Sequence, residues 1–573
     1  MKQPDISSLG VISDRQTCAL LDKDATLSWY CPEAFDHPAI FSSLIDEDQG
    51  GFWDLQFDCK RFVSRGFSGR SSVLHTHFDV NGTPFTVTDF MPIGTQLNGI
   101  CRKTDTAPAV ITAKVRVRAN YGLNAIQLLQ RDGYCIELIG TNQWLHCSHA
   151  LQVDNDIISY TVPDGEKGWA ALIDSEQFNE GGMDDALQTT LMAWQEIEKH
   201  IDYKGLFEKE VCNSLRALQQ LVYEPTGGII AAPTLGLPEV IGGKRNYDYR
   251  YVWMRDAALV TSSLVGLKTD GKVEQNFLSF IAGAMQKNKQ THASCFYGIN
   301  QSVRTEAQDL PLKGYCNSQP LLVGNNAASQ FQLDAESSIL LACGAIYSKL
   351  NNKEEWDIVE TLADYICKNW ERKDNGIWEE EQVQHYTSSK ALAARALEVM
   401  APYQPNAERA ERWLYNAGLI RNFIAQNCLT TDGAYAVYAG SEDVDIACAL
   451  FVPFGFVEAS NPTMVKTIAA IEQRYAEGHL YRRHLLEFDS SQEGVFLAAS
   501  CWMAHYYALA GNLSKSEAIL HAMQGCANDL GYFSEEMDLR SYKMLGNFPQ
   551  TFVHSSFICA VNGLQQAMHN KAS

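Results

Sequence analysis

Two hydrophobic periods divide the 573-residue chain. Up to about residue 200, apolar positions recur at every second residue, the period of strands buried on one face. The clearest stretch is Val73–Pro92, VLHTHFDVNGTPFTVTDFMP, in which two alternating runs meet at Asn81-Gly82. That dipeptide between alternating runs is a strong hairpin signal. TAKVRVRANYG, CIELIG, WLHCSHALQV and DIISYTV alternate in the same way, at spacings that suit a large antiparallel sandwich. The opening stretch from Gly10 to Asp46 is turn-rich, with one alternation at Ala25–Trp29. No charged constellation in this half looks catalytic, so its expected role is structural, or as a rim of the site.

From about Leu206 the period becomes 3.6 and stays there. LFEKEVCNSLRALQQLV sets Phe207, Val211, Leu215, Leu218 and Val222 on one stripe. Roughly twelve helical patterns follow, near 206–222, 252–267, 272–287, 334–350, 355–370, 386–401, 409–427, 443–450, 462–475, 492–510, 514–528 and 550–568. Some, such as ESSILLACGAIYSKL and GVFLAASCWMAHYYALAG, are apolar nearly all round and must be covered on both sides. Helices of two kinds, with no repeat of about 34 to 47 residues, predict a closed double ring rather than a superhelix. The expected division is a β-sandwich domain over 1–200 and a helical toroid over 201–573. In such a ring the connections at one end converge on the axis. The long aromatic ones are Gly242–Leu259, Gly314–Asp334 and Gly531–Ser555.

Composition narrows the partners. With 46% hydrophobic and 20% charged residues the chain is an ordinary globular protein, and its net charge of -22 would repel nucleic acid. The sixteen cysteines are scattered singly with no C-x-x-C pair, a pattern of reduced thiols. MKQPDISSLGVISDRQ has no apolar h-region, and no run of about 18 apolar residues occurs. The expectation is a cytoplasmic protein without a membrane partner. No metal-ligand spacing, nucleotide loop or haem motif is visible, so no metal or cofactor is expected. The oligomeric state is not written in the sequence.

Candidate chemistry lies in the loops. In KDNGIWEEEQ a glycine-containing turn delivers Trp378 beside Glu379. An indole offers a flat face to a pyranose ring, and a carboxyl desolvated by it can serve as a general acid; the plainer reading is a core Trp beside a surface Glu. Adjacent residues cannot face each other along a helix, so Arg255 and Asp256 should find separate partners. Aimed at one volume, they would bind neighbouring hydroxyls of one sugar, with Tyr247, Tyr249, Tyr251 and Trp253 for stacking. The plainer reading makes Arg255 a helix cap and pairs Asp256 with Lys244 or Arg245. In Ser534-Glu535-Glu536 either acid could be the base of an inverting glycosidase, which places its two carboxyls about 6.5–9.5 Å apart.

Five ordered motifs then carry a resemblance: AAPTLGLPE…GGKRNYDYRYVWMRDA, GNNAASQFQLD, GIWEEEQVQHYTSSK, QEGVFLAASCW and YFSEEMD…GNFPQTFVHS. The helical half resembles the glucoamylase-type inverting glycoside hydrolases, a family that also holds bacterial glucodextranases and some bacterial trehalases. GVISDRQTCALLDKDATLSWYCPEAFDHPAIFSSLI resembles the N-terminus of the bacterial members. The resemblance implies an antiparallel β-sandwich ahead of an (α/α)6 barrel. It implies Glu379 as general acid, Glu535 as general base, and Arg255 and Asp256 as the pair that holds the terminal glucose. Tyr249, Trp253 and Trp378 fall on aromatic positions of that subsite, and Glu380 on a position reaching the next sugar. The implied activity is exo-acting release of β-glucose from α-glucans or malto- and isomalto-oligosaccharides. Hydrolysis of trehalose is the alternative, and a catalytically silent glucan-binding module a further one. Three departures bear on the leaving-group side: Glu381 and Leu322 stand where relatives carry Arg, and Ala335-Glu336 follow Asp334. Two missing cations should weaken the binding of any anionic group at the mouth.

Overall fold

The computed structural model describes residues 2–199, 203–267, 269–304, 307–350, 353, 355–486, 488 and 492–572. The N-terminal part is two antiparallel sheets face to face. One sheet has the strand order Gly10–Ser13, Cys18–Leu21, Leu27–Tyr30, Phe52–Gln56, Ile111–Arg116, Ile157–Val162, Gln152–Asp154. The other runs Leu128–Gln130, Cys135–Leu138, Gln143–Cys147, Gly168–Ile173, Gly99–Thr104, Thr83–Phe90, Leu74–Val80, Lys60–Phe67. The predicted hairpin is present, with Val80 opposite Thr83 and positive φ at Asn81 and Gly82. The first three strands are buried on both faces. Ile12, Leu21 and Leu27 enter the core between the sheets, whereas Val11, Leu20 and Trp29 enter the core of the helical part. Double burial removes the selection for alternation, which is why the opening stretch showed so little of it.

The β reading of the first 200 residues fails at one element. Helix α1, Glu180–Glu198, opens on the Asn179 side chain, which accepts from the Gly182 amide. It packs Met183 and Ala186 against Phe90 and Ile173 on the outer face of the second sheet. The stripe Met183, Ala186, Thr190, Trp194 has helical spacing.

The helical part is a closed double ring. Its inner elements are α3 (Met254–Val265), α5 (Leu333–Leu350), α7 (Thr387–Met400), the 3-10 helix Ile446–Phe451, α10 (Leu497–Leu509) and α12 (Thr551–Ala572), each packed on the next, with α12 returning to α3. Outside lie α2 (Glu208–Gln220), α4 (Lys272–Lys287), α6 (Trp356–Asn369), α8 (Ala407–Asn427), α9 (Pro462–Tyr475) and α11 (Leu513–Gln524). The pattern near 443–450 is thus a short 3-10 turn rather than an α-helix. Asp445 begins it, accepting from the Ala447 amide. Asparagines cap α8, α9 and α11 from outside. The inner helices α3, α7 and α10 instead start directly after Trp253, Tyr386 and Phe496, without a side-chain cap. A buried ion pair joins the two parts. Arg250 Nε donates to Asp248 Oδ1 at 2.9 Å, while its Nη1 and Nη2 reach His37 O and Tyr121 Oη at 2.9 and 3.0 Å.

Candidate active site

The N-terminal ends of the inner elements converge on one end of the ring axis. Arg255 and Asp256 lie in the first turn of α3, Gln330 precedes α5, Ile377–Glu381 precede α7, Phe496 opens α10, and Gln550 and Phe552 flank the start of α12. All of these line a single cavity of about 430 Å³, together with Tyr249, Trp253 and Glu535. Of the candidates named from the sequence, Glu379, Glu535, Arg255, Asp256, Tyr247, Tyr249, Trp253, Trp378 and Glu380 are on its wall, whereas Tyr251, whose hydroxyl donates to Asp248, and Glu536 are not. In the ring order α12, α3, α5, α7, 3-10 helix, α10, the elements α7 and α12 stand opposite each other. The segments bearing Glu379 and Glu535 enter the cavity just ahead of these two. Helix N-termini carry partial positive charge, which suits a pit lined by carboxylates.

Glu379 sits on a tightly pinned loop. Its own φ is +62° and that of Gly376 is +67°. A Cβ at Gly376 would lie 2.8 Å from the Tyr386 ring, so the turn needs glycine there. Gln330 Nε2 donates to the Glu379 carbonyl at 2.8 Å, and the Glu380 amide to Asn375 O at 3.0 Å. Arg255 holds the loop from α3: Nη1 donates to Ile377 O at 2.7 Å and Nη2 to Glu379 Oε1 at 3.1 Å. Burial pushes the Glu379 carboxyl up to about 7, against the opposing Arg255 charge and with Asp256 and Asp334 adding to the rise. A fifth of its side chain remains open to the cavity. The neighbouring Trp378 stacks on Trp502, 5.8 Å between centroids at 25°, and its indole N–H donates to both Asp445 oxygens at 3.0 Å. Glu380 Oε1 accepts from the Leu486 amide at 2.7 Å, tying the loop to the segment before α10.

The expectation of separate partners for Arg255 and Asp256 is corrected: Arg255 Nε donates to Asp256 Oδ2 at 3.1 Å. The long Arg side chain folds back over the first turn of α3, so it bridges Asp256 and Glu379 at once. Lys244 and Arg245 are not the partners of Asp256. Trp253 is buried, and its indole N–H has no hydrogen-bond partner among the described residues.

Glu535 is held differently. It precedes a small sheet of Val495–Phe496, Glu536–Asp538 and Lys543–Leu545. Its Oε1 accepts from Tyr249 Oη at 2.9 Å and from Gln550 Nε2 at 3.1 Å, leaving Oε2 without a hydrogen bond among the described residues. Gly546 packs on this carboxylate, and a Cβ there would lie 2.6 Å from Glu535 Oε2. Burial, then the charge of Glu239, raise the Glu535 pKa; Arg483 and the Tyr249 hydroxyl oppose them. Strand alternation turns Glu536 away from the cavity, where its Oε2 accepts from the Gly494 amide at 3.2 Å.

Sequence reasoning did not single out the ion cluster behind Glu535. Arg483 donates to Glu239 at 2.7 Å and Glu493 at 3.0 Å and pairs with Glu536 at 3.2 Å; Arg245 pairs with Glu239 and Glu493. Glu239, Glu493 and Glu536 come within 4.8 Å of one another, a spacing that could hold a metal, but the two guanidinium groups offset two of the three charges, and burial beside Glu493 pushes the Glu536 carboxyl well above its ordinary value. Arginine outweighs burial at Glu239 and holds its carboxyl below the ordinary value. The available signal was a charged residue inside an apolar motif: Glu239 in LGLPEV and Glu493 in QEGVF. The cluster also amends the view of a cation-poor mouth, since Lys244, Arg245 and Arg483 all line the cavity beside Glu381.

A pit at the axis of an (α/α)6 barrel, with an acid from each side of the ring, belongs to a glycoside hydrolase. Comparison with known proteins agrees. Residues 205–562 match the family described as Glycosyl hydrolases family 15, and residues 1–163 match Trehalase-like, N-terminal. The chain belongs to glycosyl hydrolases family 15. It is 27% identical over 569 residues to Trehalase 2 of Sulfolobus acidocaldarius, covering 94% of this chain and 96% of that protein. Against the trehalase of Thermoplasma volcanium the identity is 28% over 605 residues, covering 100% and 95%. The fold is similar to that of a bacterial glucoamylase crystallised with acarbose, with a TM-score of 0.68 at 13% identity, covering 100% of this chain and 97% of that one.

Proposed function

We propose that the protein hydrolyses α,α-trehalose with inversion at the attacked carbon. Glu379 is the general acid that protonates the glycosidic oxygen, and Glu535 the general base that takes a proton from the attacking water. The attacked glucose leaves as the β-anomer and the departing glucose keeps its α configuration. The observation that carries the chemistry is a pit of about 430 Å³ with a buried carboxyl from the segment ahead of α7 and another from the segment ahead of α12. The unpaired Oε2 of Glu535 suits a water-activating base; burial raises the pKa of both carboxyls, Glu379 to about 7 and Glu535 to about 8, so the assignment of roles rests on position and hydrogen-bond partners. Arg255, Asp256 and the Trp253 and Trp378 indoles hold the attacked ring, and Glu380, Arg245 and Arg483 face the departing one. Trehalose is preferred to the glucan reading because the curated relatives matched over nearly their full length are trehalases.

A substrate panel tests this. Trehalose should be cleaved with the highest kcat/KM, and proton NMR at early times should show α- and β-glucose in equal amounts. Faster hydrolysis of maltose, isomaltose or dextrin would replace trehalose with the exo-glucosidase reading. Formation of α-glucose alone from trehalose would overturn inversion.

A further inference from the structure

A second cavity, of about 660 Å³ and larger than the catalytic one, lies toward the other end of the ring axis. It is built from later turns of the inner elements: Leu259 and Ser262 of α3, Leu341 and Ala345 of α5, Val399 of α7, Trp502 and His505 of α10, and Cys559 of α12. A neck of about 20 Å³ joins the two ends; it shares Arg255, Ile377 and Phe552 with the catalytic cavity and Leu259, Phe454 and Trp502 with the distal one.

The chemistry of this wall defines what it accepts. Its charges are already matched: Arg395 Nε donates to Phe454 O at 2.9 Å and its Nη1 to Glu398 at 3.4 Å, and Glu398 also receives Arg421. Carbon lines most of the rest, through Leu341, Leu450, Pro453, Phe454 and Trp502. The imidazole of His505 in this wall makes no hydrogen bond among the described residues, and burial lowers its pKa to about 4, so it is neutral at physiological pH. A neutral imidazole offers one donor and one acceptor.

We infer that the distal cavity is an effector site for an uncharged, largely apolar small molecule carrying a hydroxyl or N–H group, bound by His505. Two connections reach the acid. Helix α3 carries Arg255 and Asp256 in its first turn and Leu259 and Ser262 in the distal wall. Trp502, also in that wall, stacks on Trp378, the residue before Glu379. An occupant pressing on Trp502 therefore acts on the acid loop, and its signature is a change in kcat.

Naphthol, a neutral two-ring alcohol, is the probe. Saturation-transfer NMR on the full chain should show saturable binding that persists with glucose filling the catalytic cavity, which requires no turnover and so stands apart from the substrate assignment. Ser348→Trp, at the exposed rim, should abolish binding. His505→Phe should weaken it by up to about tenfold, the worth of one hydrogen bond. Both variants are checked for a wild-type melting temperature, and Ala345→Phe stands in for either that fails. At saturation, kcat on whichever substrate is turned over should change at least about twofold with KM unmoved. Absence of saturable binding, displacement by glucose, binding undiminished in the folded rim variant, or an unmoved kcat would each overturn the proposal.

Discussion

The two sides of the catalytic pit hold their carboxyls by opposite strategies. On the α7 side, Glu379 lies on a loop with two successive devices of positive φ, Gly376 and Glu379 itself, and its partner is a cation, Arg255. On the α12 side, Glu535 lies at the edge of a three-stranded sheet, and its partners are neutral donors, Tyr249 and Gln550. A cation beside an acid limits how far burial can raise its pKa, so that it can give up its proton and recover it. Neutral donors on one oxygen orient a base and leave the other oxygen for water. The charge that tunes Glu535 comes from further back, through Glu239 and Arg483.

The largest effects should come from the acids themselves. Glu379→Gln and Glu535→Gln should each lower kcat on trehalose by about 10²–10⁴-fold or more. α-Glucosyl fluoride, whose leaving group needs no proton, separates the two roles. Glu379→Gln should regain most of its loss on this substrate and Glu535→Gln should not; equal behaviour would refute the assigned roles.

Removing Arg255 should come next. Arg255→Met deprives Asp256 and Glu379 of a shared buried cation, a loss worth roughly 3–5 kcal/mol, or about 10²–10⁴-fold in kcat/KM. Its pH profile should move as well. Arg255 holds the Glu379 pKa down, and the acid works protonated, so the alkaline limb should shift to higher pH.

Asp445 tests the loop at one remove. Asp445→Ala removes both acceptors of the Trp378 indole, charge-assisted bonds worth roughly 1.5–3 kcal/mol, so kcat should fall by about 10- to 100-fold. Asp445→Asn keeps one acceptor oxygen and should recover part of the loss; no recovery would point to a general defect in packing rather than to the indole anchor.

The smallest effect belongs to Tyr249→Phe. The Tyr249 hydroxyl stabilises the Glu535 carboxylate, so its loss raises that pKa, and a base works only when ionised. The acidic limb of kcat/KM should therefore move to higher pH, by about one unit for one hydrogen bond to a charged group. An unmoved limb would separate Tyr249 from the base.

Much of this site was legible locally. Asn81-Gly82 specified its hairpin because a two-residue turn is a matter of backbone conformation, and the helical stripes showed because a 3.6 period is imposed by a helix on its own side chains. Helix α1 escapes a period-2 reading although Met183, Ala186, Thr190 and Trp194 have helical spacing, because strand alternation runs up to Ile173 just ahead of it. Arg255 and Asp256 were recognised as a pair of functional residues but not as each other's partner. A spacing rule for regular helix says nothing about a guanidinium folding back over a first turn.

Local pattern alone carries the two periods, the hairpin, most helices of the ring and the motif acids, all of which depend on neighbours within a few residues. Long-range packing sets which strands are buried on both faces, makes one inner element a 3-10 turn capped by Asp445, and brings Arg483 onto Glu239 across 244 positions. It also decided that Glu535 faces the pit while Glu536 turns away, and that both acids titrate high. These follow from closing the ring, because burial and the Coulomb interaction act through space and take no account of separation along the chain.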